Sequence, residues 1–450
     1  MIGIWGLGES GTGAALLASA KGYPCLLVAE QPPQPAYAQQ LRVAGLSWHI
    51  TSDPVEVLQK AELIVRSPGI RPQHPSLLRL RAKGIPIISD LEWGWRHFPS
   101  SARLWLVTGT SGKSSTTSLL AHTLRTAGKN ALACGNIGYS FCQAILTSPD
   151  YFVVEASSFQ LWDTFTLIPH LMVVTGLSYN HIDWHGDFAA YADAKLHIVE
   201  RLPRESHLLL DGDSVLLERA LNRYTIQAKR WVYRRDYVPG THAWIEGDQL
   251  VCDMQTSEDT DKWEVSYEGT PLQELPQRKN ALAAAIASQL EGLRRADLRR
   301  SFETFQKLPH RLEQVDYIDG VLYVNDSKAT TTDAIWYSMQ SLGRPVVWIA
   351  GGVDKGTDWG ELMDVVRARV RALVLIGKDT RRLEEAFREV VPLLMRASSM
   401  EDAVEKARSL AQPGDVVLLA PGCASFDWYS SYEERGEAFR RAVQQLKSAT

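Results

Sequence analysis

The stretch LVTGTSGKSSTTSLL, residues 106–120, decides how the rest of this 450-residue chain is interpreted. An apolar run leads into a small turn with two glycines, one lysine and several hydroxyls, and a helix-like segment follows. The usual phosphate-binding loop reads GxxxxGK[ST], but Val107 stands where its first glycine should fall and Gly109 replaces that glycine. Strand, turn and helix still occur in the order that aims backbone N–H groups at phosphate. The alternative is an ordinary Gly/Ser turn; we predict a shortened nucleotide-binding loop, with Lys113 on the β- and γ-phosphates and Ser114 offering its hydroxyl to Mg²⁺.

Composition is typical of a multidomain globular protein. The length exceeds one ordinary core and predicts two to four domains. Apolar residues make up 45% of the chain, charged residues 22%, and the net charge of −4 gives no basic field that would attract nucleic acid. Five scattered cysteines without a CxxC pair favour reduced thiols. Since no apolar run is long enough to span a bilayer, we predict a cytoplasmic protein without a membrane span or a nucleic-acid partner.

Strand-like and helix-like segments alternate along nearly the whole chain. Apolar runs such as IGIW, CLLVA, RLWLVTG, YFVVEAS, VLYVNDS and DVVLLAPG are separated by amphipathic stretches. This alternation predicts an α/β fold with parallel sheets and ligands at the carboxyl ends of the strands. We predict three domains, 1–98, 99–307 and 308–450, with short antiparallel strands between about 230 and 275.

A second glycine motif lies at the N-terminus. Gly6, Gly8 and Gly11 have GxGxxG spacing after a strand, and Glu30 closes the next strand, where dinucleotide folds keep a ribose-binding carboxylate. Alone, this motif would suggest an NAD-dependent dehydrogenase. The same turn binds other nucleotide diphosphates, so a chain that also has a phosphate-binding loop is predicted to hold two nucleotides.

Candidate metal ligands follow two strands of the middle segment. Glu155 ends the strand YFVVE, and His181 lies just past the strand LMVVTG. Carboxylate, imidazole and hydroxyl groups suit a hard ion such as Mg²⁺. Taken singly, Glu155 is better explained as a capping residue and His181 as a loop residue, and Lys195 is expected on the surface of a helix.

Three loops at strand ends in the last third are rich in lysines and hydroxyls. Each could be a helix cap, but together they suit an anionic small molecule. Their candidate residues are Asp326, Ser327, Lys328, Thr330 and Thr331 in VNDSKATTTDA, Lys355 in IAGGVDKGTDW, and Ser425 and Tyr432 in LLAPGCASFDWYSSYEERGEAF.

Seven motifs, in this order, resemble the Mur ligase family over essentially the whole chain: GTSGKSS, CGNIG, VVEASSFQL, NHIDWHGDFAAYADAKLHI, LPHRLE, NDSKAT and SFDWYSSYEERGEAF. The SSFQL stretch is most similar to the family members that add D-glutamate. The resemblance implies a Rossmann-like N-terminal domain for the uridine nucleotide, a central ATP-binding domain with a phosphate-binding loop, and a Rossmann-like C-terminal domain for the amino acid. It implies that ATP phosphorylates the carboxylate of UDP-N-acetylmuramoyl-L-alanine and that the amine of D-glutamate attacks the acyl phosphate, in peptidoglycan precursor synthesis by a monomer.

The resemblance also implies residue roles. Lys113, Glu155, His181 and Lys195 would be catalytic; Ser114 and Glu155 would hold one Mg²⁺ with ATP, and His181 a second, together with a carbamate on Lys195. ATP would contact Gly109, Thr110, Ser111, Gly112, Lys113, Ser114, Ser115, Asn280, Arg311 and Asp326. The UDP-substrate would contact Gly8, Glu9, Ser10, Glu30, Ser67, Asn136, Ser157 and Gln160. D-Glutamate would contact Lys328, Thr330, Lys355, Ser425 and Tyr432. Pro276-Gln277 departs from the His-Asn pair usual in the family.

Three other interpretations compete with this one. A sister Mur ligase or a folylpolyglutamate synthase would share the ATP chemistry, but SSFQL and RGEAF argue against both. A dehydrogenase leaves Lys113 and the three C-terminal loops unexplained. A non-catalytic nucleotide sensor would not need Glu155, His181 and Lys195 together.

Overall fold

The computed structural model describes residues 1–254, 262–273, 275–354 and 357–448. The chain forms two compact units, Met1–Phe305 and Gln306–Thr450. The first unit contains two sheets and the second contains one. Parallel pairing dominates all three sheets, which confirms the predicted three-domain α/β fold. The exact boundaries after residues 98 and 307 stay predictions.

The first sheet has five parallel strands in the order β3-β2-β1-β4-β5. Strand order reverses between β1 and β4, and ligands bind at such switch points in open α/β sheets. Its strands are β1 (Ile2–Trp5), β2 (Cys25–Ala29), β3 (Trp48–Ile50), β4 (Leu63–Arg66) and β5 (Ile87–Ser89), and its helices are α1 (Glu9–Ala20), α2 (Pro35–Val43), α3 (Val55–Leu58), α4 (Pro75–Ala82) and α5 (Asp90–Trp95).

The second sheet has nine strands in the order β14-β13-β12-β11-β10-β9-β6-β8-β7. They are β6 (Arg103–Thr108), β7 (Ala131–Gly135), β8 (Tyr151–Glu155), β9 (Leu171–Val174), β10 (His207–Asp211), β11 (Lys229–Tyr233), β12 (Ala243–Glu246), β13 (Gln249–Cys252) and β14 (Trp263–Ser266). The pairs β12–β13 and β13–β14 are antiparallel, as predicted for this region. Because β6 lies between β8 and β9, the loops after these three parallel strands meet at one edge.

Nine helical segments accompany this sheet: α6 (Lys113–Thr126), α7 (Phe141–Ile145), α8 (Ser158–Leu161), α9 (Ile182–His185), α10 (Phe188–Leu196), a 3₁₀ turn (His197–Arg201), α11 (Val215–Leu221), α12 (Leu275–Leu290) and α13 (Arg295–Thr304), counted over residues 1–254 and 262–305 without 274. The segment Ala281–Ala287 of α12 is fully buried. A helix that is apolar all round belongs inside a protein, and this burial brings the N-terminal half of α12 to the phosphate-binding loop.

The second unit contains a six-stranded sheet in the order β15-β16-β20-β17-β18-β19, parallel except for the β15–β16 pair. Its strands are β15 (Glu313–Ile318), β16 (Val321–Asn325), β17 (Val346–Gly351), β18 (Val370–Ile376), β19 (Leu393–Arg396) and β20 (Val416–Leu419). Its helices are α14 (Thr332–Leu342), a 3₁₀ turn (Trp359–Leu362), α15 (Met363–Arg369), α16 (Arg381–Phe387), α17 (Met400–Leu410) and α18 (Tyr432–Ser448). Within the described ranges, no helix is both long and apolar enough to cross a membrane.

Gly11 has no room for a side chain. A Cβ there would lie 1.7 Å from the carbonyl oxygen of Gly6 and 2.8 Å from Ser67 Oγ, whereas no described heavy atom lies within 4 Å of a Cβ placed on Gly8. We expect Gly11→Ala to lower the free energy of unfolding by about 1–3 kcal/mol, as overpacking does, and Gly8→Ala to be nearly neutral. Urea unfolding followed by circular dichroism would measure both; equal stabilities would contradict the crowding.

Candidate active site

The phosphate-binding loop joins β6 to α6 with backbone conformations that favour glycine. Gly109 has φ +139°, and a Cβ there would lie 2.3 Å from Thr175 Oγ1. The N–H of Thr110 donates to Gly176 O at 2.9 Å, which fixes this loop to the loop after β9. Gly112, with φ +80°, is the N-cap of α6. It brings no side chain to the first turn of the helix, so the N–H groups of that turn suit an anion.

Polar side chains surround this loop. Lys113 Nζ donates to Thr110 O at 2.8 Å, which holds the ammonium against the loop. Ser114 is buried at the start of α6. From α12, Asn280 Oδ1 accepts a hydrogen bond from Thr116 Oγ1 at 3.0 Å and lies 3.3 Å from a Cβ position on Gly112. Asn280 therefore borders the loop, while Ser111 is exposed and Ser115 half-buried.

The carboxylate of Glu155, at the end of β8, is buried, and only one of its two oxygens accepts a hydrogen bond from the described residues. Asn136 Nδ2 donates to Glu155 Oε1 at 2.9 Å, and the N–H of Asn136 donates to Glu155 O at 2.9 Å. Glu155 Oε2 has no hydrogen-bond partner within the described residues. A buried, orphaned carboxylate oxygen is costly unless a cation or donor completes it, so this oxygen fits a metal ligand.

Lys195 lies inside the protein, and the expectation of a surface lysine is wrong. Lys195, on α10, is only 2% exposed. Burial lowers the pKa of the Lys195 ammonium well below its usual value; the positive charge of Lys113 acts in the same direction and Glu155 opposes it. Tyr191, one turn earlier, bonds through its hydroxyl to Thr110 Oγ1 at 2.9 Å. Tertiary packing of α10 beside the phosphate-binding loop therefore overrides the usual preference of lysine for water.

Two histidines lie at the two ends of the short helix α9. His181 is its N-cap, with φ +53°, and its ring centroid is 4.6 Å from that of Phe159. His185 is buried, and its Nε2 lies 2.9 Å from Ser158 Oγ. Burial, with His181 and Lys195 nearby, lowers the pKa of His185 to about 4. We did not select His185 from the sequence, although it stands in the quoted segment NHIDWHGD.

Across the described ranges, no three His, Cys, Asp or Glu side chains converge on one metal position. A metal here would therefore also need the Ser114 hydroxyl, a modified Lys195 or oxygens of a ligand.

A cavity of about 620 Å³ opens at the switch point of the first sheet. Gly8 and Glu30, both predicted to contact the UDP-substrate, line it with Trp5, Tyr37 and His74. Ser67, another predicted contact, donates its hydroxyl at 2.8 Å to the carbonyl oxygen of Gly6, which lines this cavity. Glu9, half-buried, begins α1 directly after the glycine turn.

The other predicted UDP-substrate residues bond within the protein. Gln160 is buried, and its Nε2 donates to Asp90 Oδ2 at 3.1 Å. Ser10 also hydrogen-bonds Asp90. Ser157 and Gln160 form a capping box at the start of α8. Asn136 supports Glu155, as described above. Burial raises the pKa of Asp90, and its bonds to Gln160 and Ser10 oppose this rise.

In the second unit, the loops after the neighbouring strands β16, β17 and β20 meet. Lys328 Nζ lies 3.9 Å from the ring centroid of Tyr432, and Ser327 Oγ donates to Tyr432 O at 2.8 Å. Ser425 is buried in the loop after β20, whereas Thr330 is exposed. Lys355 lies outside the described residues.

Arg435 is a further site residue: it is the arginine of the quoted motif RGEAF, but nothing in the sequence indicated its role. It is 1% exposed. Its Nε donates to Ser327 Oγ at 3.0 Å, one terminal nitrogen donates to Ser327 O at 2.9 Å and the other to Cys423 O at 3.0 Å. Arg435 therefore joins the loop after β16 to the loop after β20, which carry Lys328 and Tyr432.

Asp326 is buried between Leu312 and Ser338. Its Oδ1 accepts the N–H of Leu312 at 3.3 Å, and Ser338 Oγ donates to Oδ2. Burial raises the pKa of Asp326 from its ordinary 3.8 to about 6, against these bonds and the charge of Arg311. Arg311, which follows His310 in the chain, is half-buried.

Three family descriptions match the chain in the order of its three sheets. They are "Mur ligase MurD-like, N-terminal domain" over residues 1–89, "Mur ligase middle domain" over 107–287, and "Mur ligase, glutamate ligase domain" over 310–423. The chain belongs to the Mur ligase family.

Known Mur ligases are similar to this chain over its whole length. The UDP-N-acetylmuramoylalanine–D-glutamate ligase of Bacteroides fragilis is 35% identical, over 98% of this chain and 99% of its own. The structure of UDP-N-acetylmuramate-alanine ligase MurC from Thermotoga maritima has a TM-score of 0.61 at 16% identity and covers 100% of this chain and 99% of its own. The MurF ligase of Thermotoga maritima, solved in complex with ADP, has a TM-score of 0.55 at 15% identity and covers 95% and 91%. These two structures support the fold.

The buried carboxyl of Asp326 should make the stability of this Mur ligase depend on pH. Because the folded chain holds the Asp326 proton more tightly than the unfolded chain, this group makes stability fall as pH rises from about 4 to about 6, and its effect is constant above that. The side chain of Asp326→Asn stays neutral at every pH in this range. Between about pH 4 and pH 6 we therefore expect the unfolding free energy of this variant, relative to that of the unsubstituted chain, to rise by about 2–3 kcal/mol. Urea unfolding at both ends of the range would measure the gain; a difference independent of pH would contradict it.

Proposed function

We propose that this chain is an ATP-dependent ligase that adds D-glutamate to UDP-N-acetylmuramoyl-L-alanine in peptidoglycan precursor synthesis. The observation that carries the proposal is full-length similarity to ligases of that name. The grouping of Lys113, Glu155 and Lys195 beside the phosphate-binding loop supports it, since a dehydrogenase needs no such grouping.

The first step must bring two anions together. A carboxylate oxygen of the substrate attacks the γ-phosphorus of ATP, the bond to ADP breaks, and an acyl phosphate forms. The barrier is largely electrostatic, so preorganised positive charge and backbone N–H groups stabilise the transition state. Lys113 and the first turn of α6 would supply both, with Thr110 and Gly112 shaping the loop and Asn280 at its edge. Arg311 and Asp326 are the further ATP contacts that we propose from the second unit.

The residues present fit Mg²⁺. Ser114 and Glu155, whose Oε2 accepts no hydrogen bond from the described residues, would hold one ion. His181 and a carbamate on Lys195 would hold a second. Ions bound at these two positions would neutralise charge on the transferring phosphoryl group. A carbamate forms only on an uncharged amine, and burial favours the uncharged form of Lys195. Carbamylation would then turn this buried amine into an anionic oxygen ligand.

In the second step the amine of D-glutamate attacks the acyl carbon and phosphate leaves. The loops after β16, β17 and β20 supply a lysine and hydroxyls that suit a substrate with two carboxylates. We propose that Lys328, Ser425 and Tyr432 receive it, with Thr330 and Lys355. Arg435 would hold two of these loops in place.

The cavity at the first sheet would take the uridine nucleotide. Gly8, Glu9, Glu30 and Ser67 lie at or near it, and Ser10, Asn136, Ser157 and Gln160 would line the path toward the phosphate-binding loop. The monomeric state and the cytoplasmic location stay predictions.

ADP release tests the proposed function. We expect the purified chain, given UDP-N-acetylmuramoyl-L-alanine, ATP and Mg²⁺, to release ADP with D-glutamate and not with L-glutamate or other amino acids. Lys113→Ala should abolish release, because the γ-phosphate loses its main cation, and should bind the UDP-substrate nearly normally by calorimetry. Lys129→Ala, at an exposed lysine past the end of α6, is the matched control and should stay active. No ADP with any amino acid would overturn the proposal.

The carbamate has its own test. Lys195→Ala should be inactive, and added formate or acetate should restore part of the activity, because a small carboxylate can replace the carbamate oxygens. Lys113→Ala should not respond to the same acids, since it lacks a cation rather than an anion. A Lys195→Ala enzyme that no concentration of either acid restores would argue against the carbamate.

A further inference from the structure

Arg66, the last residue of β4, carries a charge that is completely enclosed, with a side chain 0% exposed. Its Nε donates to Asp163 Oδ2 at 2.7 Å. Asp163 is itself 3% exposed, and its second oxygen accepts from Arg81 at 3.1 Å. A buried ion pair is costly to form and gives weak evidence for stability, so this arrangement calls for another explanation.

The remaining donors of Arg66 bond to two different segments. One terminal nitrogen donates to the carbonyl oxygens of Ser67, at 3.3 Å, and of Ile70. The other donates to the carbonyl oxygen of Phe159 at 3.2 Å. A planar guanidinium with donors in a fixed fork can fix several acceptors at once, which a lysine ammonium cannot reproduce.

The first of these segments forms a wall of the nucleotide cavity. Gly69 and Ile70 line it, and Ser67 bonds to Gly6 in the glycine turn, which also lines the cavity. The second segment faces the histidines near the phosphate-binding loop. The ring centroid of Phe159 is 4.6 Å from that of His181 and 5.7 Å from that of His185. Arg66 therefore contacts the backbone of both segments, although it is not among the residues that line the cavity.

We propose that Arg66 is a positioning residue that holds the wall of the nucleotide cavity and the Phe159 segment in one fixed register, so that the UDP-substrate bound in the cavity reaches the reacting centre correctly. The inference rests on the proposed function. Asp163, the ion-pair partner of Arg66, orients the guanidinium. The N–H of Ser89 donates to the backbone carbonyl oxygen of Asp163 at 2.9 Å and so fixes the position of Asp163.

Arg66→Lys and Arg81→Lys form a matched pair that tests this role. Both substitutions keep a positive charge next to Asp163, but only Arg66 bonds to Ser67, Ile70 and Phe159. We expect Arg66→Lys to raise KM for the UDP-substrate by about tenfold and to lower kcat, as the loss of one or two buried hydrogen bonds predicts. KM for ATP should stay within about twofold of the unsubstituted value, because the phosphate-binding loop is unchanged. Arg81→Lys should keep all three parameters.

The comparison separates positioning from a general structural role. A variant that only loses folded protein would show a lower kcat with both KM values unchanged, so thermal melting and calorimetric titration with the UDP-substrate accompany the kinetics. If Arg66→Lys is folded and matches Arg81→Lys, or loses only kcat, the inference is overturned while the proposed function stands. If the unsubstituted chain releases no ADP, the proposed function fails and the inference fails with it.

Discussion

A buried lysine amine beside a second lysine and one glutamate is the constraint on which the middle domain depends. Lys195 cannot keep its charge cheaply in this position, since burial and Lys113 both disfavour it and only Glu155 opposes them. Such a site is unfavourable for a structural lysine and suits one whose amine is chemically altered or whose surroundings gain anions. In the function we propose, ATP would bring anionic charge to Lys113, and a carbamate would reverse the charge at Lys195. The electrostatic arrangement around Lys195 therefore suits the binding of anions.

Sheet topology brings these groups together. In each of the three sheets the proposed ligand contacts follow parallel strands that are spatial neighbours, so their carboxyl ends share one edge. β6, β8 and β9 place Lys113, Glu155 and His181 in this way, and β16, β17 and β20 do so for the loops with Lys328 and Tyr432. Strand order thus sets which loops meet, and the loop residues set the chemistry.

The sequence predicted the strands and the phosphate-binding loop because both have local causes. Apolar runs of strand length, glycines and a following helix are visible within about fifteen residues. The burial of Lys195 is not visible within so short a window, because it follows from the packing of α10 against a loop 81 positions earlier. Only the family resemblance singled out Lys195. Arg66 and Asp163 stand 97 residues apart, and neither belongs to a motif with a known spacing. Gln160 stays a predicted substrate contact, and the bond from its amide to the buried Asp90 is a second long-range contact that the sequence did not indicate.

Buried polar contacts join the first sheet to the second, in addition to an apolar core that the two sheets share. Besides the Arg66–Asp163 pair, Glu92 accepts the N–H groups of Phe165 and Thr166 at 2.8 Å each, and Asp90 accepts from Gln160. Apolar contacts are not directional, whereas each of these bonds requires one register of backbone and side chain. A reaction that carries a substrate from a cavity on one sheet to a phosphate bound at another gains from a fixed register, because small misplacements of reacting atoms are costly in rate. The buried charges at this junction are therefore better explained by the positions they enforce than by any stability they add.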